Sequence, residues 1–346
     1  KAYQVITAKS PERSKGGKTN ETFLGVLLTY PEGAEESSST KISLFPSSHP
    51  AAPDAGTLNT IRMGVLGAGL FANGVLLPAI KKIPGVEMVG IASSAGMHAA
   101  ESGKKFGFKY AASSDDEILN DPDINTVAIL TRHDTHADLV VKALTAGKHV
   151  FVEKPLAITP DQLDMIVGAI NGSPRSAEER DELPPHSPLL LTGFNRRFSP
   201  LAVELSRFLA ARTEPLYMHY RVNAGFIPLT HWTQDPAQGG GRIIGEGCHF
   251  IDMLTCLAGG APLTVSAHSL PDLGKYREDN VSMTFTFPDG SVGVVDYLAN
   301  GDKSFPKERL EVFCAGSVAV LDDYRSLEMT RNGKRTRLKK AQDKGW

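Results

Sequence analysis

Ile61-Arg62-Met63-Gly64-Val65-Leu66-Gly67-Ala68-Gly69-Leu70-Phe71-Ala72 reads as an apolar strand that runs into a glycine turn and then into the start of a helix. Residues 67–72 have the form G-x-G-x-x-A. The first glycine permits the tight turn, and the second lets the backbone approach a pyrophosphate. The small Ala72 allows the helix to pack close to the strand. The helix N-terminus then offers free N–H groups and a partial positive charge to the anion. With a strand before it and a helix after it, the motif indicates a dinucleotide site; without those flanks it would say little.

The same grammar continues downstream. The helix begun at Phe71 extends by its apolar content to about Lys82, Val86 to Ala92 forms a second strand, and Thr126 to Leu130 forms a later one. Ala137, Val140, Val141 and Leu144 share one face of a helix over His136 to Ala146, which Gly147 closes as a C′ glycine. His149 to Val152 is a further strand. Thr159-Pro160-Asp161-Gln162 opens another helix with a capping box and a proline at the first helical position. Strands alternating with crossover helices give an α/β fold, here a doubly wound parallel sheet of the Rossmann type expected over residues 61–185.

The polar, proline-containing stretch 173–188 reads as a surface connection. Beyond it, Asn280 to Phe287, Ser291 to Tyr297, Glu308 to Cys314 and Ser317 to Asp322 look like successive strands, with Pro288-Asp289-Gly290 as a turn. Residues 186–346 are therefore expected to form an α+β domain with a largely antiparallel sheet. At the start of the chain, Lys1 to Pro31 carries apolar runs that fit a short helix and a strand. Glu32 to Thr60 is rich in Ser, Pro and Ala and reads as a linker, which makes residues 1–60 an extension and linker.

Composition narrows the function classes. The 346 residues suffice for two ordinary domains, and 37 basic against 39 acidic residues leave a net charge of −2. A nucleic-acid partner would need a concentrated basic face. The basic run Arg331 to Lys340 surrounds Asn332-Gly333 and reads as the solvated edge of a hairpin. No apolar run approaches the ~18 residues of a membrane span, and no basic-then-apolar leader is present. Cys248, Cys256 and Cys314 form no C-x-x-C pair, which fits reduced thiols in the cytoplasm.

The second strand ends in Ala92-Ser93-Ser94, where a dinucleotide-binding chain normally carries an acid for the ribose 2′-OH. Serine hydroxyls serve a 2′-OH or a 2′-phosphate, and no carboxylate at this point repels the phosphate. The expected cofactor is therefore NAD(P), with a lean to NADP. Lys104 and Lys105 lie further along and read as helix-surface residues.

Thr131-Arg132-His133-Asp134-Thr135-His136, followed by Ala146-Gly147-Lys148-His149-Val150-Phe151-Val152-Glu153-Lys154-Pro155, resembles the Gfo/Idh/MocA family of sugar and polyol oxidoreductases. Glu153-Lys154-Pro155 is the most specific of these motifs. Gly193-Phe194-Asn195-Arg196-Arg197-Phe198 and the stretch from Gly239-Gly240-Gly241 to His249-Phe250-Ile251-Asp252 also match, so the resemblance covers Ile61 to Asp323. It implies a dehydrogenase or reductase that moves a hydride between nicotinamide and a sugar, sugar acid or cyclic polyol. Gly67, Gly69, Leu70, Phe71, Ala72, Ser93 and Ser94 would hold the cofactor, together with Thr131, His133, His136, Glu153 and Lys154. Lys154 and His249 would handle the hydroxyl proton. Lysine is a poor base at its ordinary pKa of about 10.4, so the role calls for burial or a neighbouring cation.

Two departures from the family pattern stand out. Pro and Asn often follow the threonine, where this chain has Arg132 and His133. The family's Asp-x-Gly-x-His becomes Gly245-Glu246-Gly247-Cys248-His249, so the aspartate position is glycine and the nearest carboxylate is shifted by one residue. Glu246 reads either as a displaced catalytic acid or as a helix N-terminal residue favoured by the dipole. His249 and Asp252 share one face if this segment is helical, and Asp252 would orient the imidazole or bond a nearby backbone group. Arg197, Asn223, Trp232 and Asp252 are expected to grip the substrate, with Arg196, His231 and Lys303 as further candidates.

Lys1 to Pro31 resembles the C-terminal end of a zinc-type alcohol dehydrogenase domain. The chain, which does not begin with Met, then reads as the C-terminal part of a longer two-domain oxidoreductase. The metal ligands of the upstream domain would fall outside these residues, so no metal is expected here. The family usually continues past Gly345-Trp346 into a final helix. The expected partner is a small sugar or polyol, with no nucleic acid and no membrane, in a homo-oligomer. The altered aspartate position keeps a second reading open: a non-catalytic, dinucleotide-binding regulatory or accessory module of the same fold.

Overall fold

The computed structural model describes residues 40–45, 60–171 and 188–346. The helix and strand expected over Lys1 to Pro31, and nearly all of the connection at 173–188, lie outside the described residues.

Seven strands form the first sheet: β1 (Lys41–Ser43), β2 (Ile61–Leu66), β3 (Val86–Ala92), β4 (Tyr110–Ala112), β5 (Thr126–Ile129), β6 (His149–Val152) and β7 (Leu190–Thr192). Their spatial order is β1-β4-β3-β2-β5-β6-β7. From β2 to β7 every pairing is parallel. The chain winds outward through β3 and β4 and then returns to place β5 on the other side of β2. This is the Rossmann order, and its switch point opens a crevice at the C-terminal ends of β2 and β5. Helices cover both faces, so the central strands bury near-continuous apolar runs: Met63, Val65 and Leu66 in β2, and Val127, Ala128 and Ile129 in β5.

Lys41–Ser43 corrects the reading of Glu32 to Thr60 as linker throughout. The segment pairs antiparallel with β4, Lys41 opposite Ala112 and Ser43 opposite Tyr110. Its composition is polar because it is an edge strand. What orders it is the free edge of β4, whose N–H and C=O groups it satisfies. Leu44 then packs over Gly103, where a Cβ would stand 2.3 Å from its Cδ1.

The helices largely follow the sequence. His136–Thr145 buries Ala137, Val140 and Leu144, and Gly147 ends it in the left-handed conformation. At Pro160–Asn171 the Gln162 N–H donates to Thr159 Oγ1, while the Gln162 side-chain oxygen accepts from the Ile158 N–H. The helix after the glycine turn was expected to run regularly to Lys82. It contains a π-helical turn over Ala72–Leu76 and ends at Ile80.

The second sheet has eight strands: β8 (Tyr217–Asn223), β9 (Thr264–Ser269), β10 (Asn280–Thr286), β11 (Val292–Leu298), β12 (Glu308–Cys314), β13 (Ser317–Asp322), β14 (Ser326–Arg331) and β15 (Lys334–Lys339). Their order is β15-β14-β13-β12-β8-β11-β10-β9, antiparallel except where β8 meets β11. Helices Pro200–Leu209 and Cys248–Ala258 pack on one face. Leu205, Phe250, Met253 and Leu254 meet Met218, Tyr220, Val295 and Tyr297 in a continuous core. Along β8, β11 and β12, buried residues alternate with half-exposed ones, the period of a sheet covered on one side. The Asn332-Gly333 hairpin forms with both residues at positive φ (51° and 73°), and basic β15 is the exposed edge.

Among the described residues no helix is long and apolar enough to cross a membrane. All three cysteines are free thiols.

Candidate active site

One cleft of about 1320 Å³ runs from the crevice of the first sheet to the helix Cys248–Ala258 on the second. Ordinary small-molecule sites occupy roughly 300–1,000 Å³, so this cleft has room for a dinucleotide with a small substrate beyond it.

At the mouth, the two glycines of the turn do different work. Gly67 has φ 105°, and a Cβ there would stand 2.6 Å from the Leu130 carbonyl oxygen, so glycine is required by the fold itself. At Gly69 a Cβ would meet nothing within 4 Å. The space before its backbone is open, as an approaching pyrophosphate requires. Asn73, which the motif does not specify, braces the turn by donating from Nδ2 to the carbonyls of Ala68 (2.8 Å) and Gly69 (3.1 Å). Leu70, 96% exposed, and Phe71 stand at the entrance, with Ala72 buried behind them. The residues present thus fit a dinucleotide phosphate.

Ser93 and Ser94 line the same cleft, joined by Ser113 and Asp115 from the segment after β4. Asp115 pairs with Lys142 at 3.2 Å. Lys104 and Lys105 stand outside the lining. The cleft thus has a carboxylate in the segment after β4, at no fixed spacing from the glycine motif, although none stands at the end of β3.

Thr131, His133, His136, Glu153 and Lys154 converge further in. His136 is fully buried, with Nδ1 2.7 Å from the Pro155 carbonyl and Nε2 3.1 Å from that of Thr131. Burial holds its pKa down, and a neutral ring can donate to only one of the two. Glu153 is buried with Oε1 unpartnered, and burial pushes its carboxyl up to about 7, although the Lys154 charge pulls the other way. Lys154 begins a cis peptide to Pro155, and its Nζ donates to the Gly245 carbonyl at 2.9 Å.

Gly245 lies in a second π-helical turn, Ile243–Gly247, that leads into the helix Cys248–Ala258. Such turns recur where a helix must present groups to a site. His249 follows, only 4% exposed, with Nδ1 unpartnered. Burial drives its pKa far down, and the Arg196 and Lys154 cations add to the effect, so the ring stays neutral.

The two departures from the family pattern pack against each other. A Cβ at residue 245 would stand 3.1 Å from His133 Cε1. The imidazole at 133, where Asn is common, fills space beside the position that has lost its aspartate. His133 Nδ1 lies 2.9 Å from the Gly239 carbonyl, and burial lowers its pKa to about 4. Trp232 stacks edge-on against it, with ring centroids 4.8 Å apart.

Several expectations need correction. Glu246 lines the cleft, but its carboxylate is tied to Lys307, Arg242 and the Tyr297 hydroxyl. Burial opposes its charge, yet Lys307, Tyr297 and Arg242 outweigh that and hold the carboxyl far below the usual range. Its carboxylate is thus held in its charged form by three partners. Arg197 and Asp252 were expected at the substrate; they pair with each other outside the lining. Asn223 is also outside, its amide donating to the carbonyls of Asp302 (2.6 Å) and Phe305 (3.2 Å). His231 and Lys303 likewise lie off the cleft, whereas Trp232 and Arg196 line it. Unforeseen lining residues are Asn195, Arg242, Lys344 and Trp346. Trp346 meets Phe71 of the phosphate turn edge-on at 4.8 Å, and the Lys344 carbonyl accepts from Asn195 Nδ2 at 2.8 Å.

The fold and the cleft define a dinucleotide-binding protein of the Rossmann class with a second, mostly antiparallel domain. Residues 61–174 match the family model described as "Oxidoreductase family, NAD-binding Rossmann fold", and residues 213–318 match "GFO/IDH/MocA C-terminal domain". The chain belongs to the Gfo/Idh/MocA oxidoreductase family. It is 26% identical over 243 residues to the scyllo-inositol 2-dehydrogenase (NAD(+)) of Bacillus subtilis, covering 68% of this chain and 66% of that one. It is 28% identical over 173 residues to an inositol 2-dehydrogenase of Salmonella typhimurium, covering 49% and 48%. The chain thus spans about half to two thirds of the length of these relatives. A levoglucosan dehydrogenase in complex with NADH and levoglucosan has the same fold, with a TM-score of 0.67 at 22% identity over 81% of this chain and 80% of that one.

Proposed function

We propose that the chain is an NAD-dependent dehydrogenase or reductase acting on a CH–OH group of a sugar, sugar acid or cyclic polyol, with Lys154 and His249 as its proton-handling side chains. One observation carries this reading: Lys154 and the phosphate turn open onto a single cleft. When bound, the nicotinamide supplies the hydride acceptor. Gly67, Gly69 and the helix start that includes Ala72 would hold the pyrophosphate, with Leu70 and Phe71 at the entrance. Ser93 and Ser94 would hold the adenosine ribose, and Thr131, His133, His136 and Glu153 the nicotinamide half. Lys154 Nζ is anchored on one carbonyl and has two further donors for a hydroxyl oxygen. His249, held neutral nearby, can pass that proton on only as a relay, one ring nitrogen accepting as the other donates. Trp232 closes the wall on the substrate side.

The serines at 93 and 94 favoured NADP on sequence alone, but the Asp115 carboxylate on the same rim favours a ribose 2′-OH over a phosphate. We therefore assign NAD(H) as the preferred cofactor. The wider reading keeps a domain boundary near 185, a cytoplasmic location and a homo-oligomer. It also keeps Lys1 to Pro31 as the remnant of a zinc-type alcohol dehydrogenase domain.

The test is reduction of NAD⁺ and NADP⁺ over a panel of neutral sugars, sugar acids and inositols, beside fluorescence titration of NADH on the parent and on Gly69→Val. Turnover with at least one compound is expected, together with loss of NADH binding in the variant. Tight NADH binding with no turnover on any compound would favour the regulatory module instead. Undiminished binding by Gly69→Val would remove the cofactor assignment.

A further inference from the structure

The segment from Lys340 to Trp346 follows β15 and is fastened along its length to the second domain. The Lys340 N–H donates to the Arg325 carbonyl at 2.9 Å, and Gln342 Nε2 donates to the carbonyl and the carboxylate of Asp323 at 3.0 and 2.9 Å. Ser199 Oγ donates to the Asp343 carbonyl at 2.7 Å, and Asn195 Nδ2 to that of Lys344 at 2.8 Å. The Lys344 ammonium sits between two carboxylates, Glu308 at 2.6 Å and Asp323 at 3.8 Å. Gly345 has φ 90°, and a Cβ there would run into the Asn195 carbonyl oxygen. Only glycine lets the chain turn at this point.

This fastening presents Trp346. Its ring crosses to the first domain and meets Phe71 of the phosphate turn edge-on at 4.8 Å. Trp346 lines the same cleft as Gly67 and Gly69, and with it in place the cleft still holds about 1320 Å³. It is a wall of the cleft and not a plug in it. The indole nevertheless remains 41% exposed, and Phe71 is its one ring partner among the described residues. A large aromatic surface fixed at a cleft wall and left half-open gains the rest of its contact energy when a ligand covers it. The turn to which Phe71 belongs is the one that receives a pyrophosphate, so Trp346 stands beside the middle of the dinucleotide.

We propose that Trp346 is a cofactor-binding residue, with which the second domain covers the pyrophosphate and the adjoining ribose of a dinucleotide seated on the phosphate turn. This deepens the NAD(H) reading and rests on it for the identity of the ligand. The turn offers backbone N–H groups from one domain, and the indole adds apolar cover from the other. Cofactor binding therefore engages both domains at once. A tryptophan that served only to pack Phe71 would change the stability of the protein and leave its affinity for the cofactor alone.

The test is titration of NADH, read by its fluorescence, on the parent, Trp346→Ala, Trp346→Phe, Gly345→Ala and the combined Gly345→Ala, Trp346→Ala protein, each checked for folding by urea denaturation. Trp346→Ala is expected to weaken NADH about three- to tenfold, the scale of one aromatic contact. Trp346→Phe, which keeps a ring, should recover most of the affinity. Gly345→Ala should lose as much as Trp346→Ala by displacing the indole. The combined variant should lose no more than either, because both changes remove the same contact. Undiminished NADH binding by a folded Trp346→Ala protein overturns the proposal, and so do losses that add in the combined variant. A parent that binds no NADH removes the cofactor reading and the role of Trp346 with it. A parent that binds NADH and tolerates Trp346→Ala removes the role of Trp346 alone.

Discussion

The two ends of the cleft are made of different material. At the phosphate turn the groups on offer are backbone groups, set by glycines and a helix start within a dozen residues of one another. At the substrate end they are charged side chains whose partners are remote: Arg196 and Glu308 lie 112 residues apart, and Glu246 and Lys307 lie 61 apart. A site made of backbone depends on local conformation and carries no proton of its own. A site made of paired charges depends on every partner being present. The first end should tolerate side-chain changes that leave the turn intact, while the second should fail when one partner is removed.

The sharpest contrast lies between Glu308 and Gly69. Glu308→Ala would leave the buried Arg196 without its carboxylate and take from Lys344 the nearer of its two, Asp323 being 3.8 Å away. Breaking such a pair typically costs about 3–5 kcal/mol, which urea denaturation should register. Gly69→Val, with open space on its Cβ side, should cost less than about 1 kcal/mol in the same experiment. Similar losses for the two variants would erase the distinction between the ends.

Glu153 sits where the two ends meet and adds a pH dependence. Its folded pKa of about 7 lies above the ordinary 4.5, so the folded protein holds that proton more tightly than the unfolded chain does. Its stabilising contribution is complete below the unfolded value and is lost as pH rises through the folded one. Glu153→Gln carries no such proton. It should gain stability over the parent between about pH 5 and about pH 8, by at most about 3 kcal/mol, and level off above that. A difference that does not change with pH would mean that Glu153 is not held in its acid form.

What could be read from sequence divides along the same line. Gly67 to Ala72 was legible because its chemistry is local, and the strand–helix alternation then fixed the sheet order. Lys41–Ser43 was not, since an edge strand of polar residues is ordered by the strand it completes. The substrate end was legible in residue type and not in placement. Arg197 and Asp252 have the chemistry to grip a sugar acid, but they neutralise each other, which no spacing reveals. Lys344 and Arg242 reach the cleft through tertiary contacts alone. One signal was available: two departures from a single pattern, His133 and Gly245, in one chain. The two positions are neighbours in the cleft wall, since a side chain at 245 would crowd the His133 ring.

The central claim is that Lys154 handles a proton in a cleft whose phosphate turn, made of backbone, holds the cofactor's pyrophosphate. It is tested by measuring kcat and NADH affinity together for Lys154→Met, on the best compound found for the parent. The account predicts an NADH Kd within about threefold of the parent and a kcat lower by about 10²–10⁴-fold. A Lys154→Met protein that turns over within about threefold of the parent would contradict it.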